Sequence, residues 1–122
     1  MNKILVYDDD VDILEVCSAI LKFKGLDILC KDNCRHLLAD IEGYLPDVIL
    51  MDNWLPDMGG VKAIQLLKST QHTKDIPVIF FSANNSVEEL AKEAGSDYML
   101  KKPFEIAELE GMIAKAIKNR VQ

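Results

Sequence analysis

Pro46-Asp47-Val48-Ile49-Leu50-Met51-Asp52-Asn53-Trp54-Leu55-Pro56-Asp57-Met58-Gly59-Gly60 decides how this chain folds. Pro46 disfavours helix in the residue before it and restarts an extended chain. Four apolar residues without polar alternation follow, as in a strand covered on both faces. The run stops at a carboxylate. A charge is costly to bury, so Asp52 marks the point where the strand leaves the core. Gly59-Gly60 then frees the turn into a helix.

The same grammar opens the chain, where Ile4-Leu5-Val6-Tyr7 ends in Asp8-Asp9-Asp10. Five such runs predict strands β1 (Lys3–Tyr7), β2 (Leu26–Cys30), β3 (Val48–Met51), β4 (Pro77–Phe81) and β5 (Asp97–Lys101). Between them lie stretches of helical period. Val11–Lys24 (α1) puts Ile13, Cys17, Ile20 and Leu21 on one face and ends before Gly25. Arg35–Glu42 (α2) offers Leu37, Leu38 and Ile41, and α3, opening after Gly59-Gly60, carries Val61, Ile64 and Leu67. Ser86–Glu93 (α4) has the spacing of a capping box through Glu89 and stops before Gly95. Glu105–Arg120 (α5) has its acids early and its bases late, matching the helix dipole. Strict alternation of strand and helix predicts an α/β fold: a parallel five-stranded sheet with helices on both faces and right-handed crossovers.

At 122 residues, 49% of them apolar, the chain is expected to form a single domain over 1–122. A net charge of -6 disfavours direct contact with nucleic acid and points to basic partner surfaces. No apolar run is long enough for a membrane span, and Met1-Asn2-Lys3 leads into a strand rather than a signal segment, so a cytoplasmic location is expected. Cys17, Cys30 and Cys34 cannot all pair, and reduced thiols are the simplest reading. Cys30, Cys34 and His36 lack zinc spacing and a fourth ligand.

Open parallel sheets bind ligands beyond the carboxyl ends of their strands. Asp8, Asp9, Asp52 and Ser82 stand at such ends, and Lys102 follows the fifth strand. One edge therefore gathers three acids, a hydroxyl and an amine. That is a donor set for a hard cation and a phosphoryl group.

With those residues in place, the chain resembles the receiver domain of two-component response regulators over Lys3 to Arg120. Five segments carry the resemblance: Ile4 to Asp10, the strand ending Leu50-Met51-Asp52, Leu55-Pro56-Asp57-Met58-Gly59-Gly60, Ile76 to Ala83, and Lys102-Pro103-Phe104. It implies a flavodoxin-like (βα)5 three-layer sandwich with strand order 2-1-3-4-5. It also implies that Asp52 is the phosphoacceptor, taking a phosphoryl group from a sensor histidine kinase or a histidine phosphotransfer protein. Mg²⁺ would sit on Asp8, Asp9, Asp52 and the Trp54 carbonyl. Ser82 and Lys102 would contact the phosphoryl group, with a cis bond between Lys102 and Pro103. The expected role is a phosphorylation-controlled switch rather than an enzyme. Downstream protein would dock on the α4-β5-α5 face, including Lys92, Tyr98 and Lys101, and the chain would be a monomer or a phosphorylation-dependent dimer.

The sequence departs from the family pattern where receiver domains carry an aromatic residue three positions before the lysine; here that position is Met99. Tyr98 is adjacent, but neighbouring strand residues face opposite sides. Ser82 to Gly95 is about two residues shorter than the pattern suggests. Trp54 and Asn84 occupy positions that border the path of hydrolytic water, and the indole either screens that path or packs on its loop. Two competing readings differ in the residues they need. A haloacid dehalogenase-like Mg²⁺-dependent phosphatase would use Asp8 as nucleophile and Asp10 as general acid, but leaves Asp52 unexplained. A flavin-binding domain would need a Ser/Thr/Gly-rich phosphate loop where the acids stand after β1.

Overall fold

The computed structural model describes residues 2–120, so the extreme ends of the 1–122 span assigned to the domain lie outside them. The elements are β1 Lys3–Tyr7, α1 Val11–Phe23, β2 Asp27–Lys31, α2 Leu37–Tyr44, β3 Val48–Asp52, α3 Gly60–Lys68, β4 Val78–Ser82, α4 Val87–Ala94, β5 Tyr98–Lys101 and α5 Ile106–Asn119. The strands form one sheet in the order β2-β1-β3-β4-β5. Every pairing is parallel. The α/β class and the alternation agree with the sequence, and the strand order with what the family resemblance implies.

Local chemistry accounts for the shifted boundaries. Leu26 was expected in β2 but belongs to the end of α1, where its N–H bonds to the Leu21 carbonyl at 3.1 Å and the Gly25 N–H to that of Lys22 at 2.9 Å. This double closure needs a left-handed residue, and Gly25 supplies it at φ 80°. α2 starts two residues later than expected because the Asn33 side chain accepts the Arg35 N–H at 3.0 Å and holds Arg35 and His36 in a turn. Pro77 has no N–H and stands outside β4, though its carbonyl still accepts from Ile49 at 3.0 Å.

Helix starts bring one correction. The Ser86 side chain makes no cap and the box with Glu89 does not form. Asn84 Oδ1 takes the Ser86 N–H at 2.8 Å instead, and Ser86 leaves the extended region that a cap requires. A capping box is found on α5, between Glu105 and Glu108. Asp10 caps α1, its Oδ1 accepting the Asp12 N–H at 2.9 Å.

Successive strand residues supply opposite layers. Leu5, Tyr7, Ile49, Met51 and Phe80 pack with Ile41 of α2 and Ile64 and Leu67 of α3. Ile4, Val6, Leu50, Ile79 and Phe81 pack with Cys17 and Leu21 of α1 and Leu109 and Ile113 of α5. Burying each such side chain contributes roughly 1.5–3 kcal/mol before chain entropy is charged against it. Both faces of β1, β3 and β4 are sealed in this way, so their charged residues reach water only at strand ends.

Candidate functional site at the carboxyl edge of the sheet

β1 and β3 are neighbours, and each delivers an acid at its end. Asp8 and Asp52 are 0% and 3% exposed, while Asp9 faces solvent. One carboxylate oxygen from each of the three lies within 4.8 Å of the others. Lys102, just beyond β5, reaches across with Nζ 2.6 Å from Asp8 Oδ2 and 2.9 Å from Asp52 Oδ1. Three carboxylates thus meet one ammonium.

The loops fix the remaining oxygens. Asp8 Oδ1 accepts the Asp10 N–H at 2.9 Å, and Asp52 Oδ2 accepts the Trp54 N–H at 3.2 Å. Ser82 Oγ, fully buried at the end of β4, accepts the Asn84 N–H at 3.0 Å, which leaves its own O–H proton to donate. The Lys102-Pro103 bond is cis, as expected. Lys102 Nζ also lies 4.6 Å from the centroid of the Phe81 ring, whose other neighbour is Phe104 at 6.5 Å.

Burial lifts the Asp52 carboxyl above its ordinary range; the Lys102 hydrogen bond pulls it back, and the charges of Asp8 and Asp9 push it further up. Lys102 is lowered by burial but ends above its ordinary value because it donates to both Asp8 and Asp52. The two directions describe one arrangement, an ammonium held firmly by more negative charge than it can neutralise.

This donor set fits a hard divalent cation. Its atoms are carboxylate oxygens, two of the three acids are buried, and one ammonium leaves the trio with surplus negative charge. Cys30, Cys34 and His36 form no such group among the described residues; Cys34 Sγ instead lies 3.9 Å from Met51 Sδ in the core. All three cysteines are free.

Two site features were not read from the sequence. Gly60 is buried where α3 meets β3, and a Cβ there would lie 2.1 Å from the Asp52 carbonyl oxygen. The Gly59-Gly60 pair signalled a free turn, but only the fold reveals this backbone approach. The Phe81 ring beneath Lys102 is the second. Its signal was an aromatic residue directly before Ser82.

Met99 and Tyr98 do face opposite ways. Met99 packs with the α2-α3-α4 layer, whereas Tyr98 packs with the α1-α5 layer. Lys115 stands 5.6 Å above the Tyr98 ring and Asn119 Nδ2 donates to its hydroxyl at 3.4 Å. The Trp54 side chain is 70% exposed, so packing on its loop does not account for it.

A doubly wound sheet in the order 2-1-3-4-5, with acids, a hydroxyl and an amine gathered at its carboxyl edge, has the CheY-like fold of receiver domains. The chain belongs to the response regulator receiver domain family, whose model matches residues 4–114. It is 35% identical to the regulatory protein AtoC of Escherichia coli K12, over 96% of this chain and 25% of that protein. It is 32% identical to the phosphate regulon transcriptional regulatory protein PhoB of Klebsiella pneumoniae, over 98% of this chain and 53% of that one. The chain thus spans a quarter to a half of the length of these relatives.

Among solved structures, a putative response regulator from Chloroflexus aurantiacus superposes with a TM-score of 0.91 at 25% identity, covering 97% of this chain and 98% of that one. The receiver domain of sensor histidine kinase PA1611 from Pseudomonas aeruginosa gives 0.88 at 27% identity with the same coverage, and is described with magnesium coordinated in its active-site cleft. The dehalogenase-like alternative finds no support in these comparisons. Its general acid, Asp10, is exposed and occupied in capping α1. No helix among the described residues is long and apolar enough to cross a membrane.

Proposed function

We propose that Asp52 is the phosphoacceptor of this receiver domain and that Asp8, Asp9, Asp52 and the Trp54 carbonyl hold Mg²⁺ beside it. The observation that carries this reading is the placement of Asp52: buried, at a strand end, one oxygen bound by Lys102, among acids whose charge exceeds the ammonium's. A carboxylate oxygen of Asp52 attacks the phosphorus of a phosphohistidine; the P–O bond forms as the P–N bond breaks, and the leaving imidazole nitrogen takes up a proton. When bound, the cation offsets charge on the carboxylates and on the phosphoryl oxygens.

Lys102 then exchanges its bond to Asp52 for one to a phosphoryl oxygen, while the Ser82 O–H donates to another. These contacts exist only in the phosphorylated form, so they shift the populations of two conformations. The donor is a sensor histidine kinase or a histidine phosphotransfer protein. The readout is a protein docking at the α4-β5-α5 face, where Lys92 and Lys101 are exposed and Tyr98 half-buried. Because Lys115 and Asn119 hold Tyr98 against α5, Met99 and the loop after Ser82 carry the shift. Three free cysteines suit the reducing cytoplasm. The protein acts as a switch, and its chemistry ends on its own carboxylate.

Incubation with a small acyl-phosphate donor and Mg²⁺, read by intact mass, tests the assignment. Wild type gains one phosphoryl group and Asp52→Asn gains none. A phosphorylated Asp52→Asn protein would reject it. Methyl NMR of Met99, with the Ser82 and loop amides as reference, tests the route of the switch; unchanged loop signals on phosphorylation would exclude it.

A further inference from the structure

Two lysines of this sheet are held by different chemistry. At the amino edge Lys68 Nζ gives its protons to three oxygens: the Lys74 carbonyl at 3.1 Å, the Ile76 carbonyl at 2.9 Å and Asp97 Oδ2 at 2.6 Å. Lys102 Nζ donates to Asp8 and Asp52 and, among the described residues, to no third acceptor. Its third support is the Phe81 ring, over which it lies 4.6 Å from the centroid. The other ammonium-over-ring contacts among the described residues are longer, 5.4 Å for Lys3 over Tyr44 and 5.6 Å for Lys115 over Tyr98.

Phe81 is fully buried and the Lys102 side chain is 16% exposed, so the contact lies largely out of water, where a ring face attracts a cation most strongly. The ring itself is held in place. Phe104 meets it at 6.5 Å with the two planes inclined by 58°, within the tilted geometries that aromatic pairs prefer. Lys102 and Phe104 stand two residues apart between β5 and α5, so one short segment brings both the ammonium and the aromatic neighbour to Phe81.

We propose that Phe81 is a positioning residue for phosphotransfer: its face supports Lys102 without a directional bond, so the ammonium pivots from Asp52 to the phosphoryl group while staying over the site. This rests on Asp52 being the phosphoacceptor and adds what steers the lysine. A hydrogen bond to a carbonyl, as on Lys68, weakens steeply once its angle is lost. The attraction between a charge and a ring face changes little as the ammonium swings a short way over it. Only the Asp52 bond then has to be exchanged. Without the ring, water takes the third proton of Nζ and must be shed or carried along in that exchange. That cost falls on the transition state, so it slows the reaction.

Rings of nearly constant shape and graded charge test this. In the 122-residue chain Phe81 is replaced in turn by mono-, di- and trifluorinated phenylalanine, whose faces are progressively less negative, and phosphorylation by a small acyl-phosphate donor with Mg²⁺ is timed by intact mass. The rate falls with each fluorine, by about fivefold with the trifluorinated ring, while thermal midpoints stay at the wild-type value because the core remains filled. In wild type the Phe81 ring shifts the NMR signals of the Lys102 methylene protons next to Nζ upfield; Phe81→Leu abolishes that shift and slows phosphorylation at least as much. Rates that track thermal stability rather than ring charge, or Lys102 methylene signals at their ordinary position, would overturn the proposal. A flat fluorine series in a protein phosphorylated on Asp52 overturns this proposal alone, whereas a wild type that gains no phosphoryl group there overturns the acceptor reading and this proposal together.

Discussion

The two ends of the sheet handle charge in opposite ways. At the amino edge, one oxygen of Asp47 pairs with Arg120 while the other accepts the Lys3 N–H at 2.7 Å. Nearby, Lys68 Nζ meets Asp97 Oδ2 at 2.6 Å and two backbone carbonyls, and the same Asp97 oxygen takes the Val78 N–H at 2.8 Å. Each acid there has a cation and a backbone donor. At the carboxyl edge Asp8 and Asp52 also accept backbone N–H groups, but among the described residues the trio of Asp8, Asp9 and Asp52 has a single cation, Lys102, which bonds only Asp8 and Asp52. Balanced charge at strand ends closes a fold; unbalanced, buried charge holds free energy in reserve for a ligand.

The largest expected effect comes from Gly60, which lets α3 approach the backbone of Asp52. Gly60→Ala drives a Cβ to 2.1 Å from that carbonyl, and overpacking against backbone costs about 3 kcal/mol, a large share of a typical domain's stability. Urea denaturation should show this loss together with loss of phosphorylation. A variant of wild-type stability would mean that the close approach is dispensable.

Substitutions at the two edges should then diverge. Asp47→Ala strips Arg120 and the Lys3 N–H of their acceptor and lowers stability by about 1–2 kcal/mol, while leaving the response to Mg²⁺ intact. Asp52→Asn does the reverse. In wild type, Mg²⁺ at ten times its dissociation constant should add about 1.4 kcal/mol, seen as a few degrees in Tm; in Asp52→Asn this gain should largely disappear. Equal responses from the two variants would erase the distinction between the edges.

The sequence disclosed the edge that matters, because charges that end apolar runs stand out against strand periodicity. Asp8 and Asp52 were legible on that basis, and Ser82 and Lys102 by their places at or just after strand ends. It could not disclose Lys102 bonding Asp8 more closely than Asp52, since that depends on how β5 meets β1 across β3 and β4. Ser86 failed as a cap for a similar reason. Its spacing to Glu89 was right, but Asn84, nearer in the chain, takes the Ser86 N–H that the Glu89 side chain would have accepted. Local pattern marks candidates; competition between neighbours selects among them.

Acidity sharpens the contrast further. The Asp52 pKa is raised in the folded protein, so the metal-free fold holds this group's full stabilising contribution below the unfolded value near 4 and loses it as pH climbs through the folded value. Asp52→Asn removes that loss. With a chelator present the variant should be more stable than wild type at pH 7, and the gap should close towards pH 4, as read from urea midpoints. A gap that widens on acidification would mean that Lys102 outweighs burial at Asp52.

The smallest effect in free energy concerns Trp54, whose backbone serves the site while its ring stands in solvent. The Trp54 N–H binds Asp52 Oδ2, so substituting the side chain leaves that bond in place. At 70% exposure, the loss of the indole should change stability by no more than about 0.5 kcal/mol. What it should change is access. The indole is expected to cover part of the approach for hydrolytic water, so Trp54→Ala should release phosphate faster than wild type, followed as decay of the phosphorylated mass after donor removal. Matching decay rates would show that the ring lies off the water's path, and would leave the carboxyl edge shielded by its buried acids alone.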